Sequence, residues 1–158
     1  MKALITGLGG CGNRITNEFF VGYSHRGVYG ARRKYLTPFG IDTDKADLAA
    51  TDFVSRRCRM LVGRTSAHGH GLGGDSALGR QIATDESVTV GEKMRILGAD
   101  NVDAVFLIAG LGGGTGSGII PVLAGKLRET FIGIPVIAVG ILPARSEGEL
   151  ATLNAARS

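Results

Sequence analysis

The glycine-rich segment GLGGGTGSG at 110–118 constrains the fold of this chain more than any other stretch. It holds six glycines in nine residues and lies between VDAVFLIAG, which predicts a buried strand, and IIPVLAGKL, which predicts a helix. A glycine loop between a strand and a helix N-terminus exposes backbone N–H groups at the positive end of the helix dipole, an arrangement that binds phosphate. The alternative is a flexible turn, but a flexible turn is not expected to be closely bracketed by two apolar elements. The segment therefore predicts a phosphate-binding loop.

Apolar segments of strand length alternate with segments of helical periodicity along the chain. We expect 102–110 and 135–143 to be buried strands, because both are rich in Val, Ile, Leu and Ala, with Pro121 in the first turn of the helix that joins them. The other predicted strands are 2–7, 34–42 and 58–63, and the predicted helices are 11–23, 75–98 and 119–130, with one or two helical turns at 45–50. This order predicts one α/β domain over 1–158, a Rossmann-like parallel sheet with helices on both faces. Ligand loops are then expected at the carboxyl ends of the strands.

Several function classes are disfavoured by composition. No apolar run approaches the ~18 residues that cross a bilayer, and MKALITG is too short for a secretory signal, so we expect a cytoplasmic protein without direct membrane insertion. Cys11, in a glycine loop, and Cys58, in an apolar-alternating strand, have neither metal-ligand spacing nor a disulfide framework, and we interpret both as reduced thiols. His68 and His70 are interpreted as part of a solvated loop rather than as a metal pair.

The net charge of +4 is unevenly distributed. Residues 1–70 carry 11 Lys and Arg against 5 Asp and Glu, with basic clusters in HRGVYGARRKY at 25–35 and SRRCR at 55–59. Clustered arginines bind nucleic-acid phosphates, whereas a solvated loop and strand edge would account for the same pattern. We favour the second interpretation and expect no nucleic-acid partner.

A second glycine loop, GLGGCGN at 7–13, follows the first predicted strand. Gly7, Gly9 and Gly12 match the dinucleotide-binding pattern G-x-G-x-x-G, but the acidic residue expected ~20 residues later comes only at Asp42. An NAD-dependent oxidoreductase has no need of the longer loop at 110–118. Two such loops favour a nucleotide whose phosphate tail is wrapped by several loops, with the Rossmann oxidoreductase as the alternative.

The segment GIDTDKADL places three carboxylates near the end of the second predicted strand. Among Asp42, Asp44 and Asp47, one either accepts a ribose hydroxyl or holds water on Mg²⁺ beside phosphates, and Asp47 is equally well explained as a helix N-cap. The chain has no G-x-x-x-x-G-K-[ST] motif. Phosphate charge must then be met by backbone N–H groups, two helix N-termini, a metal ion and Arg14.

Five segments in order resemble the nucleotide loops of the tubulin/FtsZ superfamily. GLGGGTGSG is similar to its glycine-rich signature, and GGCGNRITNEFF at 9–20 is similar to the first loop and helix of tubulin. GIDTDKADL at 40–48 and HGLGGDSALGRQI at 70–82 resemble the second and third loops of FtsZ. GILPARSEGELATLNAARS at 140–158 resembles the fifth loop, in a form most like that of CetZ, the tubulin-like archaeal branch. The resemblance covers nearly the whole chain.

The resemblance implies a GTP or GDP site with a role for each loop. Contacts to the α- and β-phosphates are implied for Gly9, Gly10, Cys11 and Arg14. Contacts to the β- and γ-phosphates are implied for Gly112, Gly113, Gly114, Thr115 and Gly116, with the Thr115 hydroxyl as a donor. Gly73 and Gly74 would approach the γ-phosphate, Asp44 would lie near Mg²⁺ or its water, and Glu147 would accept from the ribose. On this basis Gly114→Val is expected to abolish nucleotide binding without unfolding the domain.

The resemblance also implies a cytoskeletal GTPase that polymerises head to tail, with itself as partner. The family's catalytic carboxylates lie on a later loop and act on the nucleotide of the neighbouring subunit, so these 158 residues resemble an N-terminal part that binds nucleotide but is inactive in hydrolysis by itself. The central helix and the C-terminal domain of the family are not among them. A scaffold that keeps the pocket without turnover is the remaining alternative.

Overall fold

A computed structural model describes residues 1–24, 35–52 and 54–158, apart from the side chains of 22–24. The strands are β1 (Ala3–Leu8), β2 (Leu36–Asp42), β3 (Arg59–Leu61), β4 (Ala104–Gly110) and β5 (Val136–Ile141). The helices are α1 (Gly9–Ser24), α2 (Lys45–Ala49), α3 (Ser76–Ile96), α4 (Thr115–Thr130) and α5 (Glu149–Arg157), with short 3-10 helices at Arg56–Cys58, Ala99–Asn101 and Arg145–Glu147. Of the basic segment predicted at 25–35, only Tyr35 lies within the described residues.

All five strands are parallel and lie in the order β3-β2-β1-β4-β5. In the register, Gly7 of β1 pairs with Gly40 of β2 on one side and with Ile108 of β4 on the other. The chain order therefore reverses between β1 and β4, and a crevice opens at the carboxyl ends of parallel strands at such a point. The predicted α/β class, the parallel sheet and the strand alternation are confirmed.

The larger hydrophobic core lies between one face of the sheet and the pair α3 and α4. Side chains of alternate sheet positions, such as Leu4 and Leu107, pack there against Met94 of α3 and Leu123 of α4, and all four are fully buried. Strand residues at i and i+2 share a face, so the apolar runs at alternate positions supply this core. The two helices are thereby anchored with their loops directed toward the crevice.

The opposite face is covered by α1, which crosses β1 very closely. A Cβ on Gly7 would lie 2.6 Å from the carbonyl oxygen of Gly12, and a Cβ on Gly12 would overlap the carbonyl oxygen of Ile108. Only glycine permits this approach of helix backbone to strand backbone. The close packing places the N-terminus of α1 directly at the carboxyl end of β1.

The expectation that both 102–110 and 135–143 are buried is wrong for the second. β4 lies in the sheet centre and is largely buried, whereas β5 is an edge strand whose Ile137 and Val139 are about two-fifths exposed, 40% and 41%. These two residues lie on the α1 side of the sheet, where α1 packs over β1, β2 and β4. Apolar composition predicts a strand but not what covers it.

Two further boundaries differ from the sequence prediction. Helix α4 starts at Thr115 rather than 119, so Pro121 lies inside the helix and its ring removes the N–H that would bond the Ser117 carbonyl. Cys58 is buried in the 3-10 helix before β3, not in a strand. Within the described ranges, no helix combines the length and the apolar character needed to span a membrane.

Candidate functional site: a glycine-lined cavity at the strand ends

A cavity of about 260 Å³ lies in the crevice between β1 and β4 and reaches the ends of four strands. It is lined by ten of the residues for which the sequence predicts a site role: Gly9, Gly10, Cys11, Asp44, Gly112, Gly113, Gly114, Thr115, Gly116 and Glu147. Arg14, Gly73 and Gly74 are not among its lining residues. The structure thus brings together segments that are more than 130 residues apart in the sequence.

The N-termini of α1 and α4 meet at the cavity wall. Gly9 has a φ of +70°, and a Cβ on it would lie 2.9 Å from the backbone nitrogen of Gly116 and 3.3 Å from Cβ of Thr115. Each helix has 16 residues, and the N–H groups of a first helical turn have no partner within the helix. The positive ends of two helix dipoles therefore face the same space, which favours an anion there.

The hydroxyl groups around the start of α4 are ordered by local hydrogen bonds. Thr115 Oγ1 lies 2.7 Å from Thr43 Oγ1, and both residues are buried. The hydroxyl of Ser117 donates to the carbonyl oxygen of Gly113. Thr43, just after β2, had no role in the sequence prediction, although it stands between the two carboxylates Asp42 and Asp44 that were singled out.

Asp42 is almost completely buried at the end of β2. Its Oδ1 accepts from the backbone nitrogens of Thr43 at 2.8 Å and Asp44 at 3.2 Å, and its Oδ2 accepts from Nδ2 of Asn13 at 2.9 Å. Burial raises the pKa of this carboxyl to about 6, since the hydrogen bonds offset only part of the desolvation of the charge. Asp42 therefore titrates near neutral pH at the floor of the cavity.

The other two carboxylates of the segment have separate contacts. Asp44, not Asp47, is the N-cap of α2: its Oδ1 accepts from the backbone nitrogens of Ala46 at 2.7 Å and Asp47 at 3.2 Å. Asp47 forms an ion pair with Arg14, with 3.4 Å between Oδ1 and Nη2. Arg14 is thus held beside the cavity by an exposed pair rather than in its wall.

The lining carries carboxylates but no cationic side chain. Asp42, Asp44, Asp47 and Glu147 all border the cavity, and its described wall contains no Lys, Arg or His. A polyphosphate placed there adds further negative charge, which the helix N-termini alone meet only in part. The donor set fits Mg²⁺, which binds through one or two carboxylates, waters and phosphate oxygens. Over the described residues, no group of three or more His, Cys, Asp or Glu side chains is placed to hold a metal ion, so a bound Mg²⁺ would depend on phosphate and water oxygens.

The third predicted loop reaches the cavity through a different glycine. Gly71, with a φ of +75°, lines the cavity, while Gly73 and Gly74 line a neighbouring cleft against α5. His70 forms an isolated bridge with Asp44 through the backbone and, like His68, has an exposed side chain. The γ-phosphate role for Gly73 and Gly74 stays a prediction.

Glu147 closes the cavity at the end of β5. Its Oε1 accepts from the backbone nitrogen of Ala144 at 2.7 Å, and its Oε2 lies 3.5 Å from a Cβ placed on Gly112. Ile141, Leu142 and Pro143 form the adjacent wall. The carboxylate is thus fixed against the 110–114 loop, which sequence spacing alone did not indicate.

The chain matches a family model described as the GTPase domain of the tubulin/FtsZ family over residues 2–158. It is 37% identical over 158 residues to the tubulin-like protein CetZ4 of Haloferax volcanii, covering 100% of this chain and 39% of that relative. The structure of CetZ1 from Haloferax volcanii, a GDP-bound monomer, superposes with a TM-score of 0.88 at 35% identity, over 99% of this chain and 46% of that one. A GTPγS-bound protofilament of CetZ2 from the same organism gives 0.83 at 32% identity, over 99% and 44%.

The chain therefore spans about two-fifths of the length of the curated relatives it matches. The predicted resemblance, including its CetZ-like character, is confirmed by these similarities, and a Rossmann oxidoreductase is not favoured. With its parallel sheet, its converging glycine loops and the family model matched over nearly every residue, the chain belongs to the tubulin/FtsZ family.

Proposed function

We propose that this chain is the guanine-nucleotide-binding part of a cytoskeletal GTPase. The observation that carries the proposal is the meeting of the N-termini of α1 and α4 at one glycine-lined cavity. Backbone N–H groups of 9–11 and 112–116 would hold the phosphates, because all of these residues line the cavity and the helix dipoles favour negative charge there.

The choice of guanine nucleotide rests on the relatives. CetZ1 has GDP bound and CetZ2 has GTPγS bound in their structures, and this chain covers 99% of its own length in both superpositions. Thr115, whose hydroxyl borders the cavity, would donate to a phosphate oxygen. Glu147, at the far end beside Pro143, would accept from the ribose.

Mg²⁺ completes the proposed site as the counter-charge of the phosphates. Asp44 uses Oδ1 to cap α2, which leaves Oδ2 for a metal-bound water. The ion would neutralise phosphate charge in a wall that otherwise adds four carboxylates. Without it, the affinity for a triphosphate is expected to fall more than that for a diphosphate, because the triphosphate carries more charge.

Polymerisation is proposed for the whole protein, with a second copy as partner. The GTPγS-bound CetZ2 structure is a protofilament, and a head-to-tail contact extends without closing. Hydrolysis would be completed by carboxylates from the neighbouring subunit, located outside residues 1–158. The proposal places the protein in the cytoplasm, without direct insertion into the membrane and without a nucleic-acid partner.

GTP-dependent sedimentation of the full-length protein, measured together with phosphate release, tests this function. We expect assembly with GTP or GTPγS and phosphate release that rises more than linearly with protein concentration, because each site needs a neighbour. Assembly without phosphate release would favour the non-hydrolysing scaffold. If the full-length protein neither assembles nor binds nucleotide, the proposal is overturned.

A further inference from the structure

The buried side chain of Asn154 connects two glycine loops that are far apart in the sequence. Its Nδ2 donates to the carbonyl oxygen of Gly74 at 2.8 Å, and it also lies 3.2 Å from that of Gly112 and 3.4 Å from that of Gly113. Asn154 is 3% exposed although it belongs to the short surface helix α5. One carboxamide nitrogen, which carries two N–H donors, thus lies within hydrogen-bond distance of three backbone carbonyl oxygens of the 71–75 and 110–114 loops.

The two loops also touch each other through their backbones. A Cβ on Gly114 would lie 2.8 Å from the backbone nitrogen of Asp75 and 3.0 Å from the carbonyl carbon of Gly74. In addition, Leu150 of α5 packs within 2.8 Å of the Cβ position of Gly74. The two loops are therefore in close backbone contact as well as joined through the amide of Asn154, and such packing leaves little free space between them.

Helix α5 is itself fixed to the body of the domain. Nη1 of Arg80, on α3, donates to the carbonyl oxygen of Arg157 at 2.9 Å, and Ala151 is buried with its Cβ 3.1 Å from the Cβ position of Gly112. The amide of Asn154 is thus presented from an anchored helix. Among the residues that contact Asn154, anchor α5 or join the two loops, only Gly112, Gly113 and Gly114 line the cavity.

We propose that Asn154 is a positioning residue that couples occupancy of the phosphate cavity to the order of the 71–75 loop and α5. This inference rests on the proposed function, because it assigns the cavity to a nucleotide. Phosphate bound on 112–116 orders that loop; the amide then fixes the carbonyl of Gly74 and, with it, the start of α3 at Ser76. A residue that only fastened α5 to the domain would stabilise the fold without making one loop respond to the other.

Amide hydrogen exchange of the full-length protein, with and without GDP, separates these two roles. In the wild type we expect GDP to slow exchange in both 110–118 and 71–75. In Asn154→Asp, which keeps the size of the side chain but replaces the donor by an oxygen, we expect slowing in 110–118 and about a tenfold loss of the slowing in 71–75. Leu153→Ala, an exposed position on the same helix, is the matched control and is expected to behave as the wild type.

Each outcome of this experiment either supports or contradicts the coupling. Equal GDP-induced slowing of 71–75 in Asn154→Asp and in the wild type would overturn the coupling, and so would a wild type in which 110–118 responds and 71–75 does not. If Asn154→Asp fails to fold, the comparison of 110–118 with 71–75 in the wild type still tests the coupling. Asn154→Ala then replaces Asn154→Asp in the variant measurement. A wild type in which neither segment responds to GDP contradicts the proposed function itself.

Discussion

The hydroxyl oxygen of Thr43 lies 2.7 Å from the hydroxyl oxygen of Thr115, which links the end of β2 to the first residue of α4. Each hydroxyl has one proton. When Thr43 donates to Thr115, the proton of Thr115 is free to point into the cavity that Thr115 lines. In that arrangement Thr43 directs toward the cavity the hydroxyl proton of Thr115, to which the family resemblance assigns a phosphate contact.

Thr43→Val tests this relationship, because it removes the hydroxyl with little change in side-chain volume. We expect GDP affinity to fall by about fivefold to tenfold, the range of one lost hydrogen bond. Thr43→Ser retains the hydroxyl and is expected to keep the wild-type affinity. Equal affinities of Thr43→Val and the wild type, measured by titration calorimetry, would show that Thr115 is oriented in another way.

Gly113 is a better position than Gly114 for a substitution that blocks the cavity without disturbing the fold. A Cβ on Gly113 has no atom within 4 Å, whereas a Cβ on Gly114 meets the backbone of 74–75 at 2.8 and 3.0 Å. The expectation that Gly114→Val leaves the fold intact is therefore revised: that variant is expected to lower the melting temperature as well. Gly113→Val is expected to abolish GDP binding at an unchanged melting temperature. Unchanged affinity in Gly113→Val would remove the 110–114 loop from the binding site.

The raised pKa of Asp42 predicts a pH-dependent cost to stability. The pKa of the Asp42 carboxyl is about 6 in the folded protein, against an ordinary value of 3.8. The protonated carboxyl therefore contributes stability that is fully present below the ordinary pKa of 3.8 and is lost as the pH rises through the folded-state pKa of about 6. The loss is on the order of 2–3 kcal/mol. Asp42→Asn cannot ionise, so its free energy of unfolding relative to the wild type should rise between about pH 4 and about pH 7.5. A difference that is independent of pH in urea titrations would contradict this account.

Nucleotide is expected to protect one of the two cysteines. Cys11 is exposed and lines the cavity, whereas Cys58 is buried. The pKa of the Cys11 thiol is raised, mainly because its surroundings desolvate the thiolate, so alkylation should be slow at neutral pH and accelerate in mild base. GDP should slow alkylation of Cys11, followed by mass spectrometry, and Cys11→Ser should leave the folded protein unreactive. Labelling of Cys11 at the same rate with saturating GDP would place the nucleotide elsewhere.

The sequence predicts the layout of the fold because its signals are local. Apolar runs identify β1 and β4, and glycines at their ends identify the loops that meet at the crevice. The partial exposure of β5 was not predictable, because Ile137 and Val139 are apolar whether or not another segment covers them. The start of α4 was also missed, since GTGSG is a poor helix former; there Gly118 is required by the backbone of α3, whose Ser76 oxygen leaves no space for a Cβ.

The site was predictable where a motif carried it and not where long-range packing did. Glycines between strands and helices indicated the cavity wall at Gly9 and Gly113. Asn154 gives no comparable signal, because an asparagine within a helix is ordinarily solvated, and only the fold brings it to Gly74 and Gly112. The third loop lines the cavity with Gly71 rather than Gly73, and the sequence could not distinguish them, because Gly71, Gly73 and Gly74 all adopt a positive φ.

Competition binding to the full-length protein tests the central claim most directly, namely that the cavity between α1 and α4 holds a guanine nucleotide. A fluorescent GDP analogue is displaced in turn by GTP, ATP and NAD in the presence of Mg²⁺. The account predicts displacement by GTP, with no comparable displacement by ATP or NAD, and loss of analogue binding in Gly113→Val. Preferential binding of NAD, or full binding of the analogue to Gly113→Val, would contradict it.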